Sequence, residues 1–373
     1  MDYNPIFVSK VKRLITVFTL LIAFFSFNTR AFAQVDSLAA ADSTAVHGEH
    51  AAEAGHGAHK GEEKFEPTKV IMEHIADSHM WHLWGHTSLP LPVILYTPQG
   101  LEFFSSGNFH HGEHDFTGKY NTYRLVHDKV KVVNGGQVDE TASGAIIDFS
   151  ITKNVAAMFV AVVIMLLIFI SVAGAYRKRV GKSPKGLQSL IEPIIIFVRD
   201  DIARPNIGHK YAKFMPYLLT VFFFIWINNL LGLIPIFPGG ANVTGNIALT
   251  FVLSLITLLV VNLNGNKYYW KHILLPDVPW WLYPIMIPVE LIGIISKPFA
   301  LMIRLFANIT AGHIIVLSLI SLIFIFESLA IAPVSVAFVL FMDVLELLVA
   351  FLQAFIFTLL TALFIGMAVE EHH

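Results

Sequence analysis

The stretch ALMIRLFANITAGH, residues 300–313, sets Arg304 inside one of the most apolar parts of the chain. A guanidinium cannot shed its proton to escape a low dielectric, and insertion scales put an arginine at a helix centre in a bilayer at roughly 2.5–3.5 kcal/mol. Such a charge must be compensated or used. At helical spacings of three and four, Ala300, Arg304, Ala307, Asn308 and Ala311 share one face. Small residues around the arginine make a shallow groove, a surface that another helix can approach closely. In the last apolar run Asp343, Glu346, Ala350 and Gln353 share a second face among apolar neighbours. Each polar stripe needs the other, a partner, or water.

The elements that must hold these residues are membrane helices. Of 373 residues, 55% are hydrophobic and 14% charged, and the mean hydropathy is +0.65. That balance is a membrane protein's. A net charge of -2 argues against a nucleic-acid surface, and with no cysteine there are no disulfides, thiolate metal sites or cysteine nucleophiles. The expected class is an all-α membrane protein with five membrane helices, two of them long and steeply tilted, plus one interfacial amphipathic helix and a small exported N-terminal region with β-rich runs.

Lys10, Lys12 and Arg13, the apolar run LITVFTLLIAFF and Ala31-Phe32-Ala33 read as a signal peptide over residues 1–33. An uncleaved first membrane helix is the other reading of that stretch, although its apolar run is short for one. Residues 34–73 form a His-rich segment with no pattern that could bury a core, expected to be disordered. Residues 74–153 turn to short β-rich runs such as LPLPVILYTPQGLEFFSS, read as an exported region. The membrane domain covers residues 154–373. Its first span ends in RKRVGKSPK, five basic residues in nine, so that loop lies on the cytoplasmic side. GLQSLIEPIIIFVRDDIARPNIG is too charged to span and too apolar to float, and is expected to lie in the inner interface. Spans over about Phe214–Phe237 and Asn246–Leu263 follow, then an inner loop with Lys267, Lys271 and three tryptophans. Two apolar runs, Pro284–Phe326 and Pro333–Val369, complete the chain, with the C-terminus inside. At 1.5 Å per residue the last reaches about 55 Å against a hydrocarbon core of about 30 Å, so it must tilt or curve.

Direction adds information. The first long helix runs outward and the last returns, so His313 lies about 13 Å outward of Arg304 and Glu346 about 10 Å outward of Gln353. If Arg304 is level with Gln353, His313 and Glu346 come together, and a histidine beside a carboxylate in a restricted aqueous cleft is a proton relay. Glu290 lies about 21 Å from Arg304 toward the cytoplasm. Titratable groups thus flank a fixed positive charge on both sides. Plainer roles compete with this one: Arg304 as an ion-pair partner of Asp343 or Glu346, His313 as a packed histidine, Glu290 as a solvated interface residue.

Twelve of the 17 histidines fall between His47 and His127, in runs such as HGEH, HGAH and DSHMWHLWGH. Weak metal capture, local proton buffering and a solvated linker all fit them. Asp77, His79 and His82 stand in a more structured context without diagnostic spacing. A proton- or metal-coupled transporter with a His-rich capture segment is therefore a competing class, although no repeated halves are visible.

SKPFALMIRLFANITAGH, LQAFIFTLLTALFIGMAVEEH, GLQSLIEPIIIFVRDDI and FFIWINNLLGLIP, over residues 154–373, resemble in sequence and order subunit a of F-type ATP synthases. The resemblance implies a non-catalytic proton-channel subunit of a bacterial inner-membrane complex, with a periplasmic N-terminus and a cytoplasmic C-terminus. It needs no cofactor and no resident metal. Its implied partners are the c-ring of small carboxylate-bearing hairpins, the peripheral-stalk b subunits, the remainder of the complex and the lipid bilayer. Arg304 matches the family arginine that faces the ring. Asn308 and Gln353 are implied to support it, His313, Glu346 and Asn229 to serve the outer half-channel, and Glu290 the inner one. Many relatives carry Glu after the Ala-Gly step and His upstream of LQAF, so His313 and Glu346 look exchanged, and Ala307 stands where Gly is common. No GxxxxGK[ST] phosphate loop is present, so nucleotide chemistry lies elsewhere in such an assembly.

Overall fold

The computed structural model describes residues 67–370, apart from 85–86, 113, 127, 179–181, 235–238, 275–278 and 327–330. The expected signal peptide and most of the His-rich segment lie outside the described residues. The end of that segment is helical rather than irregular: α1 spans Pro67–Ile75 and packs on the long helix that carries Arg304.

The region expected to be exported is built from short antiparallel strands. β1 (Met80–Trp84) and β2 (Thr87–Pro90) pair. β3 (Pro92–Thr97) lies between β4 (Gly100–Ser105) and β9 (Ile147–Asp148), and β5 (Phe116–Thr117) to β8 (Gln137–Val138) form a meander through β6 (Thr122–Val126) and β7 (Lys129–Asn134). Gly135 and Gly136 both take positive φ in the two-residue turn from β7 to β8, a conformation open to glycine without a Cβ penalty. Alternation places Val93, Leu95 and Phe104 inward, where the Phe104 ring sits 5.7 Å from those of both Phe109 and Tyr123. Glu102 is buried beside them, and its carboxylate accepts from the Tyr123 hydroxyl at 2.8 Å and from the Lys119 and Tyr120 amides at 3.0 Å. A short helix, α2 (Glu140–Gly144), is capped by Asp139.

This region is seated on the membrane helices. The Trp81 indole donates to the Gly239 carbonyl at 3.3 Å, and Trp81 and Leu91 share one buried cluster with membrane residues. The Lys153 amide, at the start of α3 (Lys153–Lys178), donates to Ser78 at 2.8 Å. Buried His79 pairs with Asp148 at 3.1 Å. Burial alone would depress the imidazolium and raise the carboxyl. Their hydrogen bond and mutual charge outweigh it, holding His79 above the usual imidazole range and Asp148 below the usual carboxylate range.

Among the described residues, four helices are long and apolar enough to cross a membrane, and a bent pair offers a fifth span. α3 is the first. α4 (Leu187–Phe197) does not stop before the next span as the sequence suggested. A π-helical stretch, Val198–Ala203, and tight turns carry it into α5 (Tyr211–Leu233) with no extended linker. Three of the charges in this stretch pair with one another, Asp200 with Arg199 and with Arg204, each at 2.8 Å. α6 (Ile247–Leu263) meets α7 (Lys267–Leu274) at 104°, so part of the expected inner loop is a helix. α8 (Tyr283–Ile325) and α9 (Ala332–Val369) have 43 and 38 residues, about 64 and 57 Å of helix. They pack on each other, α8 on α6 and α9 on α5. Gly366 of α9 lies so close to the Asn206 carbonyl that a Cβ there has no room. The end of α9 is held by Asn266 Nδ2, 2.8 Å from the Val369 carbonyl, and by Lys210, a cation suited to a helix C-terminus.

The His79–Asp148 pair gives the exported region a pH-dependent hold. A raised histidine pKa contributes fully below the unfolded value of 6.5 and is lost as pH rises through the folded one. A lowered aspartate pKa contributes above 3.8 and is lost as pH falls through its folded value. His79→Leu is expected to increase protease cleavage of the exported region in the detergent-solubilised full chain within that acidic window, and to make little difference at alkaline pH. Cleavage rates that differ equally at every pH would show that the pair's charge is not what matters.

Candidate functional site

Arg304 lies on α8 with its side chain exposed, and Ala300, Ala307, Asn308 and Ala311 are exposed on the same face. The opposite face, Leu301, Met302 and Leu305, is buried against neighbouring helices. The guanidinium's direction follows from that split. Gln353 of α9 is buried, and its amide donates to the Arg304 main-chain carbonyl at 2.9 Å. The glutamine thus grips the backbone beneath the arginine and leaves the charge itself untouched. Among the described residues, five ion pairs form and none involves Arg304. The reading of Arg304 as a partner of Asp343 or Glu346 finds no such pair.

Fixing Gln353 level with Arg304 sets the register of the two long helices. Glu346, seven residues from Gln353 and so about 10 Å along α9, reaches Gly312: a Cβ on that glycine would stand 2.5 Å from Glu346 Oε1. This oxygen is buried and meets no hydrogen-bond partner. His313 is next in sequence, and its Nε2 lies 3.9 Å from where a Cβ on Gly232 of α5 would be. Two glycines therefore make the room in which the carboxylate and the imidazole sit.

Asn229 is buried and fully engaged. Its amide donates to Ala350 of α9 at 3.3 Å and accepts from the Thr244 hydroxyl at 2.6 Å. It ties α5, α9 and the outer turn before α6 together. Glu290 is half-buried on the inner stretch of α8, within electrostatic reach of Tyr269. Between it and Arg304, Thr257, Asn262, Tyr269, Lys297 and Phe364 help line a cavity of about 20 Å³. The Lys297 ammonium there is 5.5 Å from the centre of the Phe364 ring. Arg304, Gln353, Glu346 and His313 are thus gathered, Asn229 braces them, and Glu290 stands apart toward the start of α8.

Residues 155–366 match the family described as ATP synthase A chain, and residues 70–149 match a domain of unknown function. The chain belongs to the ATP synthase subunit a family. It is 44% identical to ATP synthase subunit a of Chloroherpeton thalassium across 72% of this chain and 88% of that protein. Against the Chlorobium phaeobacteroides protein of the same name the identity is 39% across 98% and 95%. ATP synthase subunit a 2 of Chlorobaculum tepidum is 50% identical across 59% and 64%. As a subunit a it is a multi-pass, non-catalytic membrane-sector protein. Among its described residues no group of three His, Asp or Glu side chains is placed to hold a metal ion.

Sequence reasoning missed Thr244 and Asn242, which sit in the turn that supports Asn229, and Asn228 and Thr310, whose side-chain oxygens are buried without partners. The signal was present: PGGANVTG is polar yet carries no charge, and Thr310 falls inside the arginine motif. Gly312→Ala is expected to push the Glu346 carboxylate aside, because the flexible acid yields before the helix backbone does. Proton-driven ATP synthesis in membrane vesicles should fall several-fold while the assembled complex, measured by subunit content, is unchanged. Full activity would show that the contact has no role in transport.

Proposed function

We propose that this chain is the proton-translocating stator subunit of a rotary F-type ATP synthase in a bacterial inner membrane, with its N-terminus periplasmic and its C-terminus cytoplasmic. The observation that carries this reading is Arg304: exposed on a face of small residues, gripped through its backbone by Gln353, and without an ion pair to any described carboxylate. A permanent cation presented in that way suits a partner helix bearing a carboxylate at the same depth, as on a c-ring. The peripheral-stalk b subunits and the rest of the complex complete the assembly.

In this mechanism a protonated ring carboxylate is neutral and can face lipid, whereas the ionised form cannot be buried unpaired. Opposite Arg304 it is held ionised, because a nearby positive charge favours the charged form. Protons arriving past His313 and Glu346 neutralise it, the ring turns, and the proton leaves on the Glu290 side. Asn308, one turn from Arg304 on the exposed face, helps orient the charge, and Asn229 holds the outer route's walls in register. Arg304 bars the short way across, since hydronium cannot pass a fixed cation in a dry constriction. Each charge moved through 100 mV supplies about 2.3 kcal/mol, so several combine for each ATP made elsewhere in the complex.

Arg304→Ala is expected to abolish coupled ATP synthesis in membrane vesicles while the complex still assembles, and Arg304→Lys to restore little of it, because an ammonium can deprotonate in a dry site. Retained proton-driven synthesis in the alanine variant would refute the role. Glu346→Ala is expected to slow proton entry from the outer side, read as reduced passive flux through complexes stripped of their catalytic sector. Unchanged flux would remove Glu346 from the route.

A further inference from the structure

The exported region contributes more than a seat on the outer ends of the helices. Asp77, between α1 and β1, turns its carboxylate toward the start of α3. Oδ1 accepts from the Asn154 amide at 3.0 Å and Oδ2 from the Thr152 hydroxyl at 2.8 Å. Beside it lies a cavity of about 20 Å³ lined by Asp77, Asn154, Val155, Met158, Asn246 and Leu249. That space holds about one water. Asn154 is 5% exposed, and its Oδ1 meets no hydrogen-bond partner in the chain. Buried polar atoms are seldom left so, and a water between the acid and the amides satisfies this one.

The cavity touches the turn that braces the site through Asn246, the turn's last residue. Asn246 caps α6 by accepting from the Ala248 amide at 2.9 Å, and Asn242 accepts from the Gly245 amide at 2.9 Å while its own Nδ2 is buried and unpartnered. Thr244 of the same turn bonds Asn229. Its first residue, Ala241, turns its carbonyl toward Gly232, the glycine beside the His313 ring. Asp77 is half-buried, so part of the residue remains exposed.

We infer that Asp77 is the outermost proton-carrying group of the outer route, receiving protons from the periplasmic solution and passing them, through water held between it, Asn154 and Asn246, along the 241–246 turn toward His313. This rests on the proton-channel reading above. At each step the Asp77 carboxylic acid gives its proton to the cavity water, that water gives one to the next, and the carboxylate is reprotonated from outside. The amides hold the water and take no proton. Desolvation raises the Asp77 carboxyl above its ordinary range, although the Asn154 and Thr152 hydrogen bonds and the charges of Lys153 and His79 pull the other way. Behind those two stand Asp128, acting on Lys153, and Asp148, bonded to His79. Asn154 and Asn246, which face Asp77 from α3 and the start of α6, are uncharged.

Asp77→Asn separates charge from structure, because an asparagine oxygen still caps the helix but carries no proton. In vesicles of the intact complex, with the pH of the periplasmic side set by acid–base transition, the variant's ATP synthesis is expected to fall by about an order of magnitude when that side is near neutral. The deficit should shrink as it is acidified. A rate equal to the parent's at every pH overturns the inference, and so does a deficit that is the same at every pH. Should the variant not assemble, Asn154→Leu decides: it fills the cavity without breaking a side-chain hydrogen bond, and a pH-dependent deficit supports the route whereas parental rates overturn it. Arg304→Ala, run alongside, keeps the two claims apart. If it still synthesises ATP the channel reading fails, whereas a silent Asp77→Asn beside an inactive Arg304→Ala removes only Asp77.

Discussion

A guanidinium in hydrocarbon has no neutral form to retreat to, and its cost has to be met by an anion, by water or by burial in a hydrogen-bonded shell. The described chain provides no carboxylate for Arg304. It spends its one close polar contact there, from Gln353, on the main-chain carbonyl instead. The geometry of the two long helices follows from that choice. Pinning Gln353 to the backbone at 304 fixes the register of α8 against α9. A fixed register in turn brings Glu346 to Gly312 and the Gly232 notch to His313. Had the glutamine bonded the guanidinium, the charge would have been partly spent inside its own subunit.

The same logic explains where this chain leaves polar atoms unsatisfied. Unpartnered buried oxygens or nitrogens occur at Glu346, Thr310, Asn228, Asn242 and Asn154, and also at His79, Gln188, Thr358 and Thr361. Membrane interiors punish such groups, since no solvent is at hand to satisfy them. Ordered water is the usual partner of such buried groups. Other polar side chains between the helices are paired, Tyr217 with Thr257 at 2.9 Å and Tyr269 with Asn262 at 3.0 Å.

The N-terminal strand-rich region adds a second layer. Its sheets are held by an aromatic core and by the buried Glu102, and it meets the membrane helices through Trp81, Ser78 and the acid of Asp77. A carboxylate capping a membrane helix from outside the membrane couples the two parts mechanically.

Composition alone determined that the chain lives in a bilayer, because more than half its residues are apolar. Helical periodicity determined which residues share the arginine's face, because 3.6 residues per turn leaves no freedom in that. Motif order carried the family resemblance. The path from α4 into α5 and the helix inside the expected inner loop were illegible, because neither the π-helical stretch nor that helix is long enough to carry a distinctive apolar period. Tertiary structure decided what periodicity could not. Which atom of residue 304 Gln353 bonds depends on the contact between α8 and α9. That Asn229 is a brace depends on a turn fifteen residues away. That Asp77 reaches α3 depends on a domain folding back across more than seventy residues. Local spacing is set by covalent geometry, but contacts between distant segments are chosen by packing, and packing is a property of the assembled fold.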